Sequence, residues 1–285
     1  MLLRVRVTLP DRPGALGQVA RTLGVAGADI VQVTVLERLG GRAVDDFTVV
    51  WPGAARVDRL LAGLAAIPGV QVDGVWRAIG APVTGGQDAE LLAQVAANPT
   101  DGLATLVDAV PGLLAADWAA AAVVPADWAI RSGSRPPANA VPPGTSGGPG
   151  GRSLPAGAEL RFDESELPGA ELLAGLTVPA DEPPSGGAPA VAYASWRAPV
   201  PLRLPEVTPL RARPMDGPDG VRYASVPFGR AGLVLMVART DGDDLPAAAF
   251  HVTEVDRIAQ LVRAATVILG DRLDLVGADP VTARR

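Results

Sequence analysis

Residues 8–23 read TLPDRPGALGQVARTL. An alternating run ends inside this stretch. Leu3, Val5, Val7 and Leu9 interleave with Arg4, Arg6 and Thr8, the period of two expected for a strand with one buried face. Asp-Arg-Pro-Gly then turns the chain. Asp11 is placed to cap a helix, Pro13 sits at or near its first position, and Leu16, Val19, Ala20 and Leu23 recur at helical spacing. Gly24 and Gly27 loosen the end of that helix before Ala28-Asp29.

The same logic carries outward to residue 80. Ile30–Glu37 reads as a second strand with Val31, Val33 and Val35 on one face, and Gly40-Gly41 marks a hairpin. A third strand alternates Phe47, Val49 and Trp51 against Asp46, Thr48 and Val50. Val57, Leu60, Leu61 and Leu64 mark a second helix closed by Pro68-Gly69, and a fourth strand begins at Val70. The predicted order is β-α-β-β-α-β, a ferredoxin-like unit with both helices on one face of an antiparallel sheet.

Asp11-Arg12-Pro13-Gly14-Ala15-Leu16 after a strand, with Gly27-Ala28-Asp29-Ile30 opening the next one, resembles the ACT domain, a regulatory module that binds small ligands. The resemblance covers residues 2 to about 79. It implies that the two pieces lie near each other, that copies pair edge to edge into a homodimer, and that an amino acid binds where they meet. The expected ligand-binding residues are Leu9, Asp11, Arg12, Pro13, Gly14, Ala15, Leu16, Asp29 and Ile30. Exposed N–H groups at the helix start suit an α-carboxylate. Gly14 lets a ligand approach the backbone, and Asp11 and Asp29 can accept from an ammonium group. Leu9, Leu16 and Ile30 favour an aliphatic side chain. Asp29 departs from the family, which usually has asparagine there and so gains a donor that an ionised aspartate lacks.

Composition narrows the chemistry. The 285 residues include no cysteine, and every basic residue is arginine, which excludes disulfides, thiolate nucleophiles, Schiff-base lysines and the P-loop lysine. The net charge of −6 without a basic run offers nothing to a nucleic-acid backbone. No signal peptide or membrane-length apolar run is present, so a cytoplasmic protein without membrane or nucleic-acid partners is expected. His251 is the only histidine and has no metal-ligand partners in sequence, so no metal, cofactor or catalytic residue is assigned. The pairs Asp45-Asp46, Asp163-Glu164 and Asp243-Asp244 read as solvated surface.

Residues 81–87 read as a linker and 88–277 as a second α+β domain. Its first helix carries Leu91, Leu92 and Val95; its second is capped by Asp101 and ended by Pro111. An Ala/Val run to Val124 fits either a helix or a strand, and its place after a pair of helices favours the strand. Residues 132–190 form an irregular Pro/Gly-rich insertion, with a short strand at Glu159–Asp163, and 190–196 forms another strand. After a loop over 199–219, 221–226 and 233–238 are strands, the last covered on both faces. Thr253 caps a closing helix, with Asp256 at its third position and Val255, Ile258, Val262, Ala265 and Leu269 inward. Residues 226–269 resemble the end of a GAF domain, and 278–285 reads as a disordered tail.

The fold expected is α+β, a ferredoxin-like ACT domain over 1–80 followed by a GAF-like domain with long Pro/Gly-rich loops. The function expected is a non-enzymatic amino-acid-binding regulatory or sensor protein. The alternative makes the ACT-like half a structural dimeriser and the GAF-like half a signalling module. A regulated catalytic second half ranks last, since only carboxylates, arginines, hydroxyls and one histidine would be available to it.

Overall fold

The computed structural model describes residues 1–52, 56–79, 85–124, 190–205, 211–217, 220–229, 232–242 and 245–278. Strands β1 (Leu2–Pro10), β2 (Asp29–Leu39), β3 (Arg42–Val50) and β4 (Gln71–Arg77) alternate with helices α1 (Ala15–Val25) and α2 (Val57–Ala65). The sheet is antiparallel in the order β2-β3-β1-β4. The alternation sorts its faces: Leu3, Val5, Val7, Phe47 and Val49 pack against Val19 and Leu23 of α1 and Leu60 and Leu64 of α2. Truncating one of these buried leucines to alanine would remove about 2–5 kcal/mol.

The remaining described elements build a second antiparallel sheet. Helices α3 (Gln87–Ala97) and α4 (Gly102–Leu114) precede β5 (Trp118–Val123). Then come β6 (Ala190–Ala194), β7 (Arg213–Asp216), β8 (Arg222–Pro227), β9 (Leu233–Arg239), α5 (Val252–Leu269) and α6 (Arg272–Ala278). The order is β6-β5-β9-β8-β7. One face packs on α3, α4 and α5 through Val95, Leu106, Val110, Ile258 and Val262; Trp118, Tyr223 and Met236 fill the other, with Leu202 and Leu204 against them. Strand β9 is buried along its whole length, as its unbroken apolar run predicts. Both sheets belong to one compact unit. The architecture is α+β with two antiparallel sheets.

Several local expectations change. Gly14, not Asp11, occupies the N-cap of α1, with φ 89° and no side-chain cap, and Pro13 precedes the helix. Asp11 instead grips Arg38 of β2. Pro111 lies inside α4, which runs on to Leu114 and stops where Ala115 turns left-handed at φ 48°. Asp101 sits at the N-cap position of α4, but its carboxylate accepts from the Asn98 amide at 2.7 Å rather than from the helix backbone. The cap of α5 is His251, two residues before the expected Thr253: its Nδ1 accepts from the Thr253 N–H, while Glu254 accepts from the His251 N–H. Residues 213–216, expected in a loop, pair with β8 as β7. The linker core 80–84, the 132–189 part of the insertion with its Glu159–Asp163 strand, Asp163-Glu164, Asp243-Asp244 and 279–285 lie outside the described residues.

Candidate functional site

The strand after the turn decides which expected ligand residues meet. Strands β1 and β2 both run antiparallel to β3, so they run parallel to each other. Pro10, at the end of β1, faces Arg42, whereas Asp29, at the start of β2, faces Val50. The nine residues of β3 lie between them, roughly 25 Å at about 3.3 Å per residue. Within one chain, therefore, Asp29 and Ile30 stand at the opposite end of the sheet from Asp11. The expectation that the two motif pieces adjoin does not hold inside a single chain, because a helix returning antiparallel to β1 starts β2 at the far edge.

Leu9, Asp11, Arg12 and Leu16 do come together. They line a hollow of about 220 Å³ with Pro10, Val35, Arg38, Ala43 and Asp45. Leu9 is buried, Leu16 is exposed, Pro13 and Gly14 are exposed, and Ala15 is buried against the core. The Asp11 carboxylate takes Arg38 Nη2 at 2.6 Å and Arg38 Nε at 3.1 Å. Asp45 was expected at the surface, but it is only 3% exposed. It faces the helix-covered side of the sheet opposite Val7, and its Oδ1 has no hydrogen-bond partner among the described residues. Burial pushes the Asp45 carboxyl up, the neighbouring Asp46 charge adds to this, and Arg38 opposes it.

The other face of the sheet holds a second constellation. Asp46, adjacent to Asp45 and therefore on the opposite side, is also buried rather than solvated. Arg6 donates to it through Nε at 2.7 Å and Nη2 at 2.8 Å, a bidentate fork, and also reaches Glu254 at 2.9 Å and the Ala249 carbonyl at 2.7 Å. Arg239, fully buried at the end of β9, pairs with Glu254 and donates to the Leu114 carbonyl at 2.6 Å. The Trp76 ring lies under Arg6 at 5.3 Å and Arg239 at 4.6 Å, and its indole N–H donates to the Ala115 carbonyl at 2.8 Å. Burial raises the Glu254 carboxyl, but Arg239 and Arg6 outweigh it and hold the group down at about 2. His251 Nε2 meets Glu37 at 3.0 Å. Helix α5 thus reaches β1, β2 and β9 through charged groups.

No family model matches the chain, and no curated protein matches it. Two solved structures are similar in part. One is a formyltetrahydrofolate deformylase from Pseudomonas putida KT2440, with 16% identity and a TM-score of 0.25, covering 34% of this chain and 39% of that one. The other is a protein described as unknown from Galdieria sulphuraria, with 17% identity and a TM-score of 0.24, covering 44% and 72%. The match spans well under half of the deformylase's length. Likenesses of this size bear on neither mechanism nor ligand.

Sequence reasoning missed Arg6, Trp76, Arg239 and Glu254. The arginines interrupting β1 and closing β9 were the available signal, since an arginine inside a strand needs a partner or water. Among the described residues no group of three His, Asp or Glu is placed to hold a metal ion, and no helix is long and apolar enough to cross a membrane.

Proposed function

We propose that the chain is a non-enzymatic regulatory module that binds a small aliphatic amino acid at the β1–α1 corner, in a ferredoxin-like, ACT-like half over 1–80. The reading rests on Asp45, a residue of the hollow's lining whose carboxylate is buried and whose Oδ1 has no hydrogen-bond partner among the described residues. An α-ammonium group is the partner such an oxygen lacks. Two carboxylates, Asp11 and Asp45, and two guanidiniums, Arg12 and Arg38, surround the hollow, a balance suited to a zwitterion. Its volume of about 220 Å³ suits a small amino acid. Asp45 takes the ammonium-binding role first expected of Asp29.

Edge strand β2 supports the homodimer. Val31, Val33, Val35 and Leu39 are exposed along it, and an open apolar edge is a template for pairing. Antiparallel pairing of β2 with β2 brings the Asp29–Ile30 end of one copy beside the Arg38 end of the other, which reunites the two motif pieces across the interface. The GAF-like half over 88–277 then reads out the state of the first. The competing reading, a corner that only supports dimerisation, draws on Asp11 being already engaged by Arg38.

The test is a thermal-shift panel of the twenty amino acids on the full chain and on Asp45→Asn. The substitution keeps the side-chain shape and removes an uncompensated charge. An aliphatic amino acid raises the Tm of the wild type and not that of the folded variant. If no amino acid shifts the wild type, the corner is not a receptor for them.

A further inference from the structure

Helix α5 starts on a cap that can change its charge. The side chains that cap helices best, those of serine, threonine, asparagine and aspartate, keep one protonation state near neutral pH. Here the position belongs to His251, the chain's only histidine. Imidazole is the side chain whose ordinary titration falls between about pH 5 and 8.

Three contacts fix the ring. Nδ1 accepts from the Thr253 N–H at 3.3 Å and lies 3.0 Å from the Thr253 hydroxyl, and Nε2 meets a Glu37 carboxylate oxygen at 3.0 Å. A nitrogen that accepts from a backbone N–H carries no proton of its own. The proton of the neutral ring therefore sits on Nε2 and is donated to Glu37. One end of the imidazole caps α5 and the other ties it to β2. The side chains of His251 and Glu37 are 15% and 40% exposed, so the contact stays open to solvent protons.

Glu37 reaches the ring because β2 is irregular there. The register slips between Val35 and Glu37, which leaves Leu36 as the bulged residue and sets Glu37 opposite Val44 and Arg38 opposite Ala43. Glu37 thus faces α5, while Arg38 faces the other side and holds Asp11. The other charged groups near the cap are engaged or exposed. Glu254 accepts from the His251 N–H and is held by Arg6 of β1 and Arg239 of β9. Further along α5, Asp256 is exposed and Arg257 is paired with Asp88 of α3. Glu37 is the carboxylate in contact with the ring itself.

We propose that protonation of His251 moves its hold from α5 to β2. The charged ring is a donor at both nitrogens. Nδ1 can then no longer accept from the Thr253 N–H and donates instead to the Thr253 hydroxyl, already within reach. Thr253 is exposed, so water takes the freed N–H. At the other end, the hydrogen bond to Glu37 becomes charge-assisted. The positive end of the helix dipole repels the new charge and Glu37 attracts it, so both favour the strand over the cap. Acid loosens the first turn of α5 and tightens its tether to the edge strand of the first sheet. The device needs no ligand at the β1–α1 corner.

The experiment follows the full chain by NMR from about pH 8 to about pH 5. With one histidine, the ring signals assign themselves. At the upper end the ring nitrogen shifts place the proton on Nε2, and on acidification the Thr253 amide resonance moves with the midpoint of the ring. After correction for intrinsic exchange, protection of the Thr253 amide falls about fivefold, the loss of a cap. Protection over residues 36–38 of β2 rises about twofold. Glu37→Gln abolishes the rise and keeps the fall. His251→Asn, which caps without titrating, abolishes both. A proton found on Nδ1, a Thr253 amide indifferent to the ring's titration, or a fall that survives in His251→Asn overturns the proposal. So does a rise over 36–38 that is absent from the wild type or persists in Glu37→Gln.

Discussion

Glu254→Gln tests how strongly the buried cluster holds the two sheets together. Glu254 accepts from Arg6 at 2.9 Å, from Arg239 through both terminal nitrogens, and from the His251 N–H at 2.9 Å. Glutamine preserves the shape and one acceptor but turns an amide donor toward a guanidinium. Among the described residues it leaves Asp46 as the remaining close carboxylate for Arg6 and none for Arg239. Removing one partner of a buried ion pair costs about 3–5 kcal/mol. The titration of the group supplies a second route to the magnitude. Its carboxyl is held at about 2 against an ordinary 4.5, which at neutral pH corresponds to about 3 kcal/mol of stability. The two figures agree in order of magnitude. At roughly 2–4 °C per kcal/mol for a chain of this size, the variant's Tm falls by about 6–20 °C.

The sign of the pH dependence follows from the direction of that displacement. A carboxyl depressed in the folded state stabilises above its unfolded pKa and loses that contribution as pH falls through the folded value. Urea unfolding of the wild type therefore shows a decline between about pH 4.5 and 2 to which Glu254 contributes. In Glu254→Gln the stability at pH 7 is lower and this part of the decline is missing, so the two curves converge in acid. A variant within about 1 kcal/mol of wild type at pH 7, or curves that run parallel down to pH 2, would refute the reasoning.

Gly74→Ala places a Cβ 2.5 Å from the Ala248 nitrogen and 2.8 Å from its Cα. Backbone cannot give way as a side-chain tip does, so the unfolding free energy from urea titration falls by about 1–3 kcal/mol with an unchanged m-value. Trp76→Phe strands the buried Ala115 carbonyl and thins the stack on Arg239, a loss of about 1–3 kcal/mol in thermal unfolding. His251→Ala removes the cap of α5 and the contact with Glu37; about 1 kcal/mol is lost, and amide exchange quickens in the first turn of that helix. Tyr193 donates to Asp108 at 2.7 Å, and that hydrogen bond pushes its phenol up to about 12. Absorbance titration of Asp108→Asn brings it back toward the ordinary value.

The elements of the first half were legible because their signals are local. Alternation in β1 and β3 and helical spacing in α1 and α2 need only neighbouring residues, and Gly40-Gly41 turns the hairpin where expected, with both glycines at positive φ. Strand β9 announced itself through an unbroken apolar run. Cap positions were less legible: Asp11 and Thr253 are good cap residues, yet the positions went to Gly14 and His251. Asp11 found a better partner in Arg38, and Glu254 rather than Asp256 closed the reciprocal box.

By itself, the sequence determined which residues alternate and therefore that Arg4, Arg6 and Asp46 share one face of a sheet while Asp45 takes the other. It did not determine what lies against either face. Alternation reports that two sets of side chains meet different surroundings, and water and a second protein layer leave the same pattern in the chain. Only the tertiary structure decided that the charged face is covered, through contacts such as Arg6 to Glu254 across 248 positions. The same holds for the opening motif. Its turn and helix are written in TLPDRPGALGQVARTL, but the parallel course of β1 and β2 carries Asp29 to the other end of the sheet and leaves Asp45 beside Asp11. Strand direction is set by the packing of the whole sheet, which no short stretch contains.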